Sequence, residues 1–357
     1  MAAETNTGVL PKNYLPGVPL IESPLFNSFF QPQGPNADIY ETAKFLNDHG
    51  YVVLKNVIPG VENLCDEIKS SLTPEFNVEE WRERKRSGFH RGMRLQDTYD
   101  RHASVRKLAA SEVVLNLLSR LYGRQAYPFQ TLNFPVGTEQ LYHADSIHFS
   151  SYPEKFMCGV WVALEDIGPD QGPLIYYPGS HKLPVFENIH YGINTLSHDG
   201  TCTQADYQPA WQAIVDSLKL EPLYFHAKKG DLLIWCSNLL HGGSPHKDIS
   251  KTRWSQVTHY YFEDCTYYTP MHSDPFVGRV ALRGPINQVD GSKVSNKFLG
   301  KFLAYEIAAT PVKTTEELPA DFDPQRYLQL YPDLRMANVN PTQHFIKFGR
   351  KEGRRYK

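Results

Sequence analysis

Between Tyr127 and Phe262 the chain runs as a series of short apolar, aromatic-rich stretches, at 127–134, 140–149, 156–165, 173–178, 222–227, 231–240 and 252–262. Turn-forming groups separate them, among them Pro135-Val136-Gly137, Gly172-Pro173, Pro178-Gly179 and Lys229-Gly230-Asp231. Stretches of this length bounded by Gly and Pro read as strands. Many of them in succession must close into a sandwich or barrel to bury their apolar faces. Residues 183–220 interrupt the series with a less apolar insertion. Ahead of it the period changes. Val61, Leu64, Cys65, Ile68 and Leu72 recur at helical spacing, as do Val114, Leu117, Leu118 and Leu121. The spacing predicts helices over 61–72 and 111–122, the second capped by Ser111 and stopped by Gly123. A helix over 36–47 and a short strand over 51–57 precede them. Helices followed by a strand block predict an α+β fold, a jelly roll with helices packed on one face.

The flanks differ from this centre. Pro11, Pro16, Pro19, Pro24, Pro32 and Pro35 predict an extended surface arm over 1–35. The main domain is expected over 36–310. A polar linker at 311–320 leads to a small helical unit at 321–357 that ends in a basic stretch. With 41% apolar and 21% charged residues and a net charge of -2, the 357-residue chain has a globular composition and no excess positive charge for nucleic acid. No run of 18 apolar residues predicts a membrane span, and the first 30 residues lack a secretory pattern. The 5 cysteines are scattered without a C-x-x-C pair. That speaks against a disulfide framework or zinc ribbon and for a reducing, cytoplasmic setting.

Three stretches carry chemistry. In Tyr142-His143-Ala144-Asp145, residues i and i+2 of a strand would face the same way, so His143 and Asp145 could reach one point inside a barrel. One imidazole and one carboxylate are two thirds of the facial triad that binds non-haem Fe(II); a surface or turn pair is the plainer alternative. In Gly230-Asp231-Leu232-Leu233-Ile234-Trp235 to Leu240-His241-Gly242-Gly243, an apolar strand ends at a histidine. The two glycines there permit close backbone approach, which makes His241 the third candidate ligand rather than a structural histidine. In Arg253-Trp254-Ser255, an Arg facing the interior needs an anion, supplied either by a protein carboxylate or by a dicarboxylic co-substrate. The Ser255 hydroxyl could add a hydrogen bond. His181, after Pro178-Gly179-Ser180, reads as structural. His148 should face away from His143, and His246 and His259 read as surface residues or neighbours of the site.

Trp161-Val162-Ala163-Leu164-Glu165-Asp166, Gln171-Gly172-Pro173-Leu174 and Tyr177-Pro178-Gly179-Ser180-His181-Lys182, lying between the H-x-D and the H-G…R, resemble the phytanoyl-CoA dioxygenase family. The likeness runs from about Phe129 to Phe262. It implies a double-stranded β-helix, a cupin-like jelly roll, with Fe(II), 2-oxoglutarate and O2 as cofactor and co-substrates. It further implies iron ligation by His143, Asp145 and His241, and Arg253 on the distal carboxylate of 2-oxoglutarate. The stretch Gln130-Thr131-Leu132-Asn133 is similar to a family strand whose Asn contacts 2-oxoglutarate, which assigns Asn133 to the co-substrate and Gln130 to substrate or co-substrate. Related halogenases lack the carboxylate, so Asp145 implies hydroxylation, or else desaturation or ring chemistry. Two other readings stand beside this one: a cupin-type iron protein that does not use 2-oxoglutarate, and a catalytically silent jelly-roll binding protein.

Between Trp81 and Lys107 basic residues outnumber Glu83, Asp97 and Asp100. A run like this is commonly a solvated face. It could equally be a lid whose Arg91 and Arg94 attract a phosphorylated, carboxylated or glycan-linked small molecule. Phe149 and Trp161 are candidate aromatic walls for that substrate, though core packing is their commoner use. The tail, with Asp323-Pro324, Tyr331-Pro332-Asp333 and Phe348-Gly349-Arg350, resembles a helical module of bacterial polysaccharide-biosynthesis proteins. It implies a bacterial enzyme on a sugar-linked precursor, or a docking unit through which oligomers form.

Overall fold

The computed structural model describes residues 11–88, 92–193, 202–302, 319, 321–331, 334, 340–349 and 354–356. In chain order the helices are α1 (Phe26–Phe29), α2 (Tyr40–His49), α3 (Val61–Leu72), α4 (Val78–Arg86), α5 (Ala103–Ala109), α6 (Glu112–Tyr122) and α7 (Gln208–Leu218). Up to Tyr268 the strands are β1 (Tyr51–Leu54), β2 (Leu95–Gln96), β3 (Ala126–Phe134), β4 (Ser150–Tyr152), β5 (Met157–Ala163), β6 (Leu174–Tyr176), β7 (Leu223–Phe225), β8 (Leu232–Cys236), β9 (His241–Gly243), β10 (Ser255–Phe262) and β11 (Thr266–Tyr268).

Six strands form one antiparallel sheet in the order β1-β8-β5-β10-β3-β2, and three form a second in the order β7-β6-β9. Strand alternation decides what each face meets. Val52, Val160, Val162, Leu232 and Ile234 point outward into a core shared with Val61, Leu64 and Ile68 of α3 and Leu118 and Leu121 of α6. The intervening Tyr51, Trp161, Leu233 and Trp235 point inward and join Tyr176 and Phe225 of the smaller sheet. The large sheet is therefore apolar on both faces, helices cover one of them, and the other closes over a jelly-roll interior.

The helices expected at 61–72 and 111–122 form, and Gly50 and Gly123 end α2 and α6 in the left-handed conformation. The Ser111 side chain makes no capping hydrogen bond. Two expectations need correction. Residues 11–35 are not an extended surface arm. Prolines break the helix, but between them Leu20, Ile21, Phe29 and Phe30 insert into the helix-sheet core, and the Asn36 amide fixes Phe29 O at 3.1 Å. The stretch 140–149 is not a continuous strand either. His143 forms an isolated bridge with His241, and Asp145–Ile147 is a 3-10 turn.

The chain divides into compact units at Met1–Phe302 and Leu303–Lys357. The expected linker falls almost wholly outside the described residues. In the second unit, Asp323 caps the helix α8 (Pro324–Leu330), accepting hydrogen bonds from Gln325 N and Arg326 N. Tyr327, Leu334 and Phe345 bury one another there.

Candidate metal centre and co-substrate pocket

Two backbone hydrogen bonds start the site. His143 N donates to His241 O at 2.8 Å and His241 N donates to His143 O at 3.0 Å. This antiparallel pair sets the two imidazoles side by side, with ring centres 4.6 Å apart. Gly242 makes the approach possible, since a Cβ there would lie 2.7 Å from Gln140 O and 2.9 Å from Tyr142 N. The turn after Ala144 then brings Asp145 under both rings. Ligand atoms of His143, Asp145 and His241 all lie within 4.8 Å of one another.

The backbone carbonyls hold the Nδ1 edges, while His143 Nε2 has Gln140 Nε2 at 3.5 Å. His143 Nδ1 lies 3.1 Å from Leu141 O, and His241 Nδ1 lies 2.9 Å from Leu239 O. Carbonyls accept only, so each Nδ1 carries the proton and each Nε2 keeps its lone pair. Those two Nε2 atoms are the ones that stand 3.7 Å from Asp145 Oδ1 and Oδ2. Burial pushes the His143 pKa down to about 3, the direction a neutral metal ligand needs. For Asp145, burial alone would raise the pKa. The imidazoles of His241, His259 and His143 and the indole N–H of Trp235 outweigh it and hold the carboxyl at about 2. Trp235 Nε1 donates to Asp145 Oδ2 at 2.8 Å. Its ring reaches there by lying across β5 where Gly159 has no side chain; a Cβ at 159 would sit 2.1 Å from Trp235 Cζ2. Two imidazoles presenting Nε2 beside an oriented carboxylate are the donor set of a non-haem Fe(II) site.

Arg253 lies in the same pocket and is 2% exposed. Among the described residues its Nε and Nη1 have no hydrogen-bond partner, and the guanidinium carbon stands 5.7 Å from the Trp161 ring centre. Burial pushes its pKa down to about 10, so it stays charged at neutral pH. A buried guanidinium with unmet donors is costly unless an anion meets it. Ser255 opens β10 two residues later; among the described residues its buried Oγ has no partner, but it does not line the pocket. The orphaned guanidinium donors fit the distal carboxylate of 2-oxoglutarate, just as the His-Asp-His cluster fits iron.

The pocket encloses about 960 Å³ with its open mouth included. Among the other expected residues, Gln130, Phe149, Trp161 and Arg94 line it. Trp161 belongs to the Arg253 end rather than to a substrate wall. Arg94 is exposed, and Arg91 lies outside the described residues. Asn133 is a correction. Gln130, Leu132 and Phe134 line the pocket, whereas Asn133 does not. One residue out of phase, it spends its amide on Gln256 Oε1 at 3.2 Å and accepts from Thr98 Oγ1 at 2.9 Å. Much of the basic run is also accounted for by the protein: Arg82 donates to Ile249 O and Ser250 O, Lys85 pairs with Glu139, and Arg101 with Glu75.

Sequence reasoning left His259 as a surface residue or a neighbour of the site, and the structure makes it a neighbour; other wall residues were missed. His259 is buried, with Nδ1 2.9 Å from Gln130 Oε1 and Nε2 3.7 Å from Asp145 Oδ2. Counting on by twos from Arg253 and Ser255 would have found it. His148 lines the pocket because the chain turns at Asp145 instead of continuing as a strand; its Nε2 and Gln140 Nε2 both meet Gln204 Oε1. His246 is buried too, but it braces a turn through Asp248 O and Lys251 O. His181 is structural, bonded to Asn47 O.

The rat peroxisomal phytanoyl-CoA dioxygenase is 27% identical over 129 residues, an alignment that takes in 35% of this chain and 34% of that enzyme. Among solved structures, the α-ketoglutarate-dependent carbocyclase SnoK of nogalamycin biosynthesis matches with a TM-score of 0.48 at 17% identity, covering 64% of this chain and 85% of that one. EctD from S. alaskensis, solved with 2-oxoglutarate and 5-hydroxyectoine, matches with a TM-score of 0.47 at 16% identity, covering 65% and 78%. The phytanoyl-CoA dioxygenase (PhyH) family matches residues 46–250, more than half of the chain, and the protein belongs to that family.

Proposed function

We propose that this chain is an Fe(II)- and 2-oxoglutarate-dependent dioxygenase that hydroxylates an unactivated carbon of a small metabolite carrying an anionic or sugar-linked group. One observation carries the reading: a His-Asp-His cluster and a buried guanidinium with unmet donors share a single pocket. Iron, when bound, supplies the oxidising chemistry by which 2-oxoglutarate, O2 and a C–H bond become succinate, CO2 and a C–OH bond, one oxygen atom of O2 going to each organic product. His143 and His241 present their Nε2 lone pairs, and Asp145 adds an anionic oxygen while Trp235 restrains the other. Arg253 receives the distal carboxylate. Leu132, Phe134, Trp161 and Val257 wall that end and exclude water, which strengthens the ion pair. Gln130, Gln140, Gln204 and Phe149 face the remaining volume.

Arg94, exposed and lining the pocket, supports an anionic substrate. We place the C-terminal unit as a docking module for oligomers. Among the described residues no helix is long and apolar enough to cross a membrane. The test is succinate formation by purified protein given Fe(II), ascorbate and 2-oxoglutarate, screened with phosphorylated and sugar-linked candidates. Wild type should form succinate and Asp145→Ala should not. Full turnover in Asp145→Ala would overturn the metal assignment.

A further inference from the structure

Arg253 is aimed by its backbone, since two of its guanidinium nitrogens meet no acceptor among the described residues. That backbone is held from the loop between β5 and β6. Glu165 Oε1 accepts from Thr252 Oγ1 at 2.7 Å and from Trp254 N at 2.9 Å. Gln171 Nε2 donates to Thr252 O at 2.7 Å, and its Oε1 accepts from Gly168 N at 2.8 Å, so the amide ties its own loop to the strand before Arg253. Arg253 N itself donates to Pro135 O at 2.8 Å, and Leu164 N donates to Trp254 O at 3.0 Å. Glu165 is anchored in turn, its Oε2 receiving Lys69 Nζ of α3 at 2.6 Å. Both chain neighbours of Arg253 are thus fixed by side chains that do not line the pocket.

We propose that Glu165 and Gln171 are positioning residues for Arg253, setting its guanidinium for the distal carboxylate of 2-oxoglutarate without touching either. The inference rests on the co-substrate reading above. A rigid scaffold is what an orphaned, charge-bearing side chain requires, because a displacement of the order of 1 Å spoils a bidentate pairing. It also gives the W-V-A-L-E-D and Q-G-P-L stretches a physical task.

The test is anaerobic titration of the Fe(II)-loaded protein with 2-oxoglutarate, followed by calorimetry, with the Fe(II) Kd and thermal midpoint measured on the same samples. Glu165→Ala and Gln171→Ala should each raise the 2-oxoglutarate Kd about tenfold and leave the Fe(II) Kd unchanged. Glu165→Gln keeps an acceptor oxygen and should restore most of the affinity. Thr252→Val removes one donor to Glu165 and provides a milder variant should Glu165→Ala fold poorly. An unchanged 2-oxoglutarate Kd in folded variants, or a parallel loss of Fe(II) affinity, overturns the positioning role. Arg253→Ala separates the two levels. If it loses 2-oxoglutarate while the clamp variants do not, only the clamp fails; if it too binds normally, the co-substrate reading fails and takes the clamp with it.

Discussion

Replacing Trp235 by Phe tests whether the carboxylate ligand is preset before metal arrives. Trp235 Nε1 donates to Asp145 Oδ2 at 2.8 Å, and each residue is 3% exposed. Water cannot readily replace the lost donor at such depth. A hydrogen bond to a charged group contributes about 1.5–3 kcal/mol, which corresponds to roughly 10- to 150-fold in an equilibrium constant. Phe keeps an aromatic ring over Gly159, so the packing loss is smaller than in Trp235→Ala. Metal-free protein titrated with Fe(II) without oxygen should therefore show Trp235→Phe binding weakened by at least about tenfold, with the 2-oxoglutarate dependence on Arg253 unaltered. A Kd within twofold of wild type, in a variant of native thermal midpoint, would mean that Asp145 is oriented by something other than the indole.

Two further outcomes follow from the same interior. Gly159→Ala would place a methyl group 2.1 Å from Trp235 Cζ2, so the indole must move off Asp145. We expect a loss of about 1–3 kcal/mol in urea unfolding together with weakened metal binding, and unchanged values of both would contradict the packing described. Acidification should destabilise the metal-free protein. Burial pushes the pKa of His143 down to about 3 and those of His259 and His181 to about 4, against an ordinary 6.5. The unfolded chain takes up these protons near 6.5 and the folded chain does not, so stability present above that pH is lost as the pH falls toward 4. At pH 5.5 the loss is about 1.4 kcal/mol per imidazole. A urea midpoint that stays flat from pH 7.5 to 5 would refute their buried, neutral state.

What could be read from the sequence, and what could not, divides along the range of the interactions. His143, Asp145, His241 and Arg253 were legible because their residue types are costly inside an apolar strand block unless they meet a ligand. Asn133 was misplaced by a single residue of strand phase, which local pattern cannot fix when both faces of β3 are buried. His148 was misdirected because the 3-10 turn at Asp145 carries no Gly or Pro to announce it. The basic run could not be read as free or paired, since its partners Glu139 and Ile249 O come from loops 54 and 167 residues further along the chain. The Trp235–Asp145 bond joins residues 90 apart, and it forms only because a third position, Gly159, leaves room on the strand between. The motif residues Glu165 and Gln171 show the same dependence in reverse. They lie in a loop, yet Glu165 holds both chain neighbours of Arg253 and Gln171 holds Thr252, so the geometry of a binding residue is set by groups that never enter the pocket. A substitution that leaves every pocket-lining side chain intact can therefore still weaken co-substrate binding, and a catalogue of pocket residues alone would not foresee it.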